Sequence, residues 1–147
     1  MKKYFMFVIF FSIISFCYSQ DNTNAFVDEC IGYISKPVPD GFRRGDRTTY
    51  LNSEGSIVLK VHNGIVIGSV LGSVFSRTDE ALKWQSQFYD FFEENNWTYS
   101  ELSEPGVEVY ADKQNIALII YPSKRDDNMI AAMIMFVDDP ENLRLMD

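Results

Sequence analysis

The chain has 147 residues, 46% of them hydrophobic and 15% aromatic, with 13 basic residues against 21 acidic ones. That is enough apolar material for one packed core at a length that suits a single domain. The acidic balance repels nucleic acid and anionic lipid, so neither is an expected partner.

The chain opens with Lys2 and Lys3, followed by a run from Tyr4 to Phe16 that is apolar apart from Ser12 and Ser15. Cys17-Tyr18-Ser19 then offers small residues at the −3 and −1 places for cleavage before Gln20. This is the layout of a secretory signal peptide over residues 1–20, and the apolar run is shorter than the roughly 20 residues that span a bilayer. A lipid-modified Cys17 is the lesser alternative, because Phe16 stands where a bacterial lipobox has a small residue. The expected protein is therefore exported, periplasmic or secreted, as a single α+β domain over residues 21–147. Taking the two leader lysines from the 13 basic residues leaves 11 against 21 acidic ones, a net charge of −10. Only Cys30 then remains, so no internal disulfide is expected and the fold must rest on its core. Cys30 lies between Val27 and Ile31 and reads as a small buried hydrophobe.

Phe26, Val27, Cys30, Ile31 and Ile34 recur at helical spacing, predicting a short helix over residues 24–35 that stops before Pro37. Residues 36–46, rich in proline, glycine and charge, read as a loop. A strand is expected over 48–51 and another over 57–62, the second ending at Asn63-Gly64, the strongest hairpin signal in the chain. The segment G-I-V-I-G-S-V-L-G-S-V-F (64–75) should return as the partner strand. Its β-branched residues disfavour a helix, and it matches neither phosphate-loop pattern. Alternation places Val66, Gly68, Val70, Gly72 and Val74 on one face, open to close packing against the next element, although a bulge near Gly68 or Gly72 is equally compatible.

That next element is a long amphipathic helix over 79–95, capped by Ser76 or Thr78. Ala81, Trp84, Phe88, Phe91 and Phe92 form its apolar face, and Glu80, Lys83, Gln87, Asp90 and Glu94 its wet one. Three more strands follow: 98–102, continuing through 107–111; 116–121; and 129–137, which is apolar on both faces and should be interior. Residues 137–147 read as a loose tail or one helical turn. The whole is an antiparallel sheet of about six strands packed against one long and one short helix. The order helix-βββ-helix-βββ resembles the tandem helix-plus-sheet layout of β-lactamase inhibitor proteins; the likeness lies in element order alone and implies no residue's role.

Few groups promise chemistry. His62 is the lone histidine and precedes the hairpin turn, which leaves no set of partners for a triad or a zinc site. Carboxylates cluster at Glu93-Glu94, Asp126-Asp127 and Asp138-Asp139, as solvated caps and loop ends rather than a catalytic pair or a calcium loop. Asn96-Trp97-Thr98 is a glycosylation sequon, discounted beside a leader of bacterial type. Arg43-Arg44-Gly45-Asp46-Arg47 is the most distinctive polar stretch. It contains an Arg-Gly-Asp tripeptide resembling the integrin-binding signal and is the candidate interaction loop. Trp84 and Phe88 are candidate pocket aromatics, with a core role as the plainer reading. No catalytic, cofactor or metal residue is assigned. The expected function is a non-enzymatic binding module whose partner is a protein or other macromolecule of the envelope. The alternatives are a carboxylate-dependent hydrolase and an inhibitor of a basic enzyme.

Overall fold

The computed structural model describes residues 20–101 and 103–146. The expected leader lies outside them, apart from Gln20. The described chain is α+β, with one antiparallel sheet of eight strands: β1 (Arg43–Arg44), β2 (Thr49–Leu51), β3 (Ile57–His62), β4 (Ile65–Phe75), β5 (Thr98–Tyr99), β6 (Val107–Ala111), β7 (Ile116–Lys124) and β8 (Ile130–Val137). Helix α1 spans Gln20–Tyr33, α2 spans Thr78–Glu94, and a 3-10 helix spans Pro140–Leu145.

The strand order is β1-β2-β3-β4-β8-β7-β6-β5. Two four-strand meanders therefore meet at the β4–β8 pair, and α2 carries the chain from the centre of the sheet to its far edge. The central pair is buried on both faces, which explains the nearly continuous apolar sequences of β4 and β8. The reversal between β3 and β4 follows from Asn63 and Gly64, both at positive φ (51° and 78°), a conformation those two residue types tolerate.

Eight strands replace the expected six for two reasons. Arg43 and Arg44 form a short edge strand, pairing with Leu51 and Tyr50, inside the segment expected to be loop. The segment expected to run from 98 through 111 instead folds back on itself, so that Thr98 faces Ala111 and Tyr99 faces Tyr110. Helix α1 begins at Gln20 rather than 24 and ends at Tyr33, where Ser35 at φ 63° turns the chain aside. From there the backbone docks on the start of β4 through Ser35 N–H to Val66 O (2.8 Å) and Val66 N–H to Lys36 O (2.9 Å).

Both α-helices pack on the same face of the sheet, α1 chiefly over β4 and α2 over β8, β4 and β7. Ala81, Trp84, Phe88, Phe91 and Phe92 of α2 are buried there, as their spacing predicts, together with Val27, Cys30 and Ile34 of α1. The cap of α2 differs from expectation. Arg77 occupies the N-cap position without a side-chain cap bond, and its guanidinium pairs with Asp79 at 2.7 Å.

The expected valine face of β4 is corrected. Lys60 faces Gly68 and Val61 faces Val66, so Ile67 is an extra residue in a β-bulge. Alternation restarts one residue out of step beyond it. Val66, Leu71 and Phe75 meet the helices, whereas Val70 and Val74 lie on the opposite face with Val58, Leu118, Met133 and Met135. A Cβ at Gly68 would collide with the thioether of Met146, not with an α2 aromatic. Met146 follows the 3-10 helix and is buried, so residues 138–146 are held against the sheet through a short helix rather than as a loose tail.

Candidate functional site

The Arg43–Arg47 loop becomes a built structure. Gly45 N–H bonds to Thr49 O at 2.9 Å, closing the β1–β2 turn. A Cβ on Gly45 would strike the end of the Leu51 side chain, which would have to shift to admit it. Asp46 Oδ1 accepts from Thr48 N–H (2.8 Å) and Thr49 N–H (2.9 Å), as short polar side chains do in turns. Arg44 reaches over the same turn, donating from Nε to Asp46 O (3.0 Å) and from a terminal nitrogen to Arg47 O (3.3 Å). Those donors, first the Thr48 N–H, hold the Asp46 carboxyl below its ordinary range, and Lys60 adds to the effect. Asp46 is therefore tied into its own turn through Oδ1, while its side chain stays exposed.

Beside the turn is an open cavity of about 850 Å³. Arg44, Arg47, Thr48 and Tyr50 line one side; Lys60, His62 and the Asn63-Gly64 turn line the other. Three permanent cations and one carboxylate line it, in a chain that is acidic as a whole. Arg43, adjacent in sequence, is exposed on the edge strand and does not line the cavity. Lys60 and His62 were not singled out with the loop in the sequence. The signal available was the Asn-Gly hairpin, which brings the end of β3 beside the β1–β2 turn once β2 pairs with β3. Such a cavity can hold an anionic group by charge-assisted hydrogen bonds.

The other sequence candidates fall elsewhere. Trp84 and Phe88 are 3% and 1% exposed, with ring centroids 5.0 Å apart, and both belong to the helix-facing core. Cys30 is fully buried; burial pushes its thiol well above the ordinary range, while Ser69 Oγ donates to its carbonyl at 2.8 Å. Glu93 and Glu94 are exposed at the end of α2. Asp127 pairs with Arg125 at 3.2 Å, Asp138 accepts from the Ser35 hydroxyl, and Asp139 accepts from Glu141 N–H at 2.9 Å to start the 3-10 helix. The three carboxylate pairs thus occupy separate places. Among the described residues no group of three or more His, Cys, Asp or Glu stands together as a metal site, and no helix is long and apolar enough to cross a membrane.

No protein-family model, no curated protein and no solved structure matches this chain.

Proposed function

We propose that this protein is an exported, non-enzymatic binding module and that the basic cavity at the β1–β3 edge receives an anionic group of its partner. The observation that carries the reading is the convergence of Arg44, Arg47 and Lys60 on one open cavity. A turn braced by Asp46 backbone contacts gives the surface a fixed shape before any partner arrives. The export half of the reading rests on the leader layout of residues 1–20.

The protein from residue 21 onward, immobilised and exposed to an envelope extract, should retain a partner that salt releases. The Arg47→Glu variant should retain much less of it, because Arg47 is exposed and its charge faces the cavity. Turnover of a substrate with no retained partner would contradict the reading, as would equal retention by the variant.

A further inference from the structure

At the opposite edge of the sheet, four tyrosines cluster beside one carboxylate, two of them bonded to it. Glu108 and Tyr110 of β6 lie two residues apart and so share a face. Val107 and Val109 point to the other face. Tyr121 of β7 donates its hydroxyl to Glu108 Oε1 at 2.7 Å, and Tyr89 of α2 also hydrogen-bonds this carboxylate. Tyr99 of β5 stands directly across from Tyr110, ring edge to ring face at 5.4 Å, and Tyr89 meets Tyr110 at 5.8 Å. Phe92 stacks beneath Tyr110 at 5.0 Å and anchors the group to the core.

An irregularity adjoins the arrangement on its β8 side. The β7–β8 register shifts between Ile120 and Ser123, placing Tyr121 and Pro122 in a bulge. The buried Gln85 of α2 bonds the Ile120 carbonyl at 2.6 Å, which holds the strand as it bends. Tyr121 keeps the face of Ile119, which pairs with Glu108, so alternation along β7 brings the tyrosine to the carboxylate. Tyr99 is 59% exposed and Tyr121 48% exposed, so ring surface is open to solvent on both sides of the carboxylate.

We propose that this edge is a second binding surface, which takes a lysine or arginine side chain from a basic segment of a partner protein. An ionised carboxylate has about four acceptor sites, so the two tyrosine hydroxyls leave room for a cationic donor. Tyrosine faces are electron-rich and attract ammonium and guanidinium groups. Among the described residues no cation is paired with Glu108, and the charged group that acts on Tyr89, Tyr110 and Tyr121 is Glu108 itself. The chain's net negative charge draws a basic partner over longer range. The basic cavity lies at the other end of the strand order, so the two surfaces are separate.

The test titrates the protein from residue 21 onward with an oligo-arginine peptide, with an oligo-glutamate peptide and a neutral oligosaccharide alongside. Oligo-arginine should bind and weaken with salt. Glu108→Gln keeps an acceptor for the tyrosine hydroxyls and removes the charge; it should weaken binding by about tenfold or more. Tyr99→Ala should also weaken it, and Tyr99→Phe, which keeps the ring face, should restore it. Because Tyr99 is exposed, that pair decides the matter even if Glu108→Gln folds poorly. Failure of the parent to bind overturns the proposal. Equal binding by Glu108→Gln and Tyr99→Ala also overturns it, by assigning the attraction to general acidity. Oligosaccharide binding that survives Glu108→Gln overturns it too, in favour of a neutral stacking platform.

Discussion

At the β1–β2 edge, Arg44, Asp46, Arg47 and Thr48 come from one short run of sequence. Their geometry is set by a turn whose donors and acceptors lie within three residues of each other. At the β5–β6 edge, Glu108 is reached by Tyr121 of β7 and Tyr89 of α2, while Tyr99 of β5 packs on Tyr110 of β6, whose ring stacks on the core residue Phe92. The first surface is built locally and sits on the fold. The second is built by the fold and is continuous with it. An exposed charge such as Arg47 can therefore change at little structural cost, whereas a ring stacked on the core, such as Tyr110, cannot.

The largest expected difference follows from Tyr110. Tyr110→Ala removes a ring packed between Phe92, Tyr89 and Tyr99. It should cost about 2–4 kcal/mol in a denaturant titration, somewhat below the range for fully buried aromatics because Tyr110 is half-buried. A loss within about 0.5 kcal/mol would erase the distinction between the two edges.

A second variant probes the strand pair that joins the two halves. Gly68→Leu should lower stability by about 1–3 kcal/mol through overpacking. The collision is with Met146, so adding Met146→Ala should cost less in the Gly68→Leu background than in the parent, a coupling a double-mutant cycle measures. Strict additivity would show that the bulge does not point Gly68 where it is placed here.

Smaller effects belong to the basic edge. Asp46→Ala removes the acceptor for Thr48 N–H and Thr49 N–H and should cost about 1 kcal/mol, with faster amide exchange at those two positions. The same contacts lower the folded-state pKa of Asp46. Their stabilisation is therefore complete above the unfolded value of about 3.9 and is lost as pH falls through the lower folded value. Exchange at Thr48 and Thr49 should rise in that acid window and not above it. Arg47→Ala, at an exposed side chain, should leave stability within about 0.5 kcal/mol of the parent.

The same contrast explains what could be read from the sequence. The α2 stripe, the Asn63-Gly64 hairpin and the interior character of β8 depend on short-range pattern, and they are present as that pattern predicts. The bulge at Ile67 is different, because period-2 reasoning holds only while no residue is inserted. One extra residue moved Val70 and Val74 to the face opposite α2. Arg43 and Arg44 resembled loop because a two-residue edge strand has no periodicity of its own and exists through pairing with β2. The Arg43–Arg47 stretch was visible as a charge cluster, but Lys60 and His62 joined its cavity only through strand pairing. The tyrosines, spread from Tyr89 to Tyr121, carry no local signature at all. Tyr99 and Tyr110 meet only because the segment whose pattern suggests one strand turns back as two.

The central claim, that the basic cavity receives an anionic group, is tested most directly by calorimetric titration of an oligo-glutamate peptide into the protein from residue 21 onward. The Arg47→Glu and Glu108→Gln variants are titrated beside it. The account predicts salt-sensitive binding that falls about tenfold or more, roughly 1.4 kcal/mol, in Arg47→Glu and does not fall in Glu108→Gln. No binding by the parent, or binding that Arg47→Glu leaves intact, would contradict it.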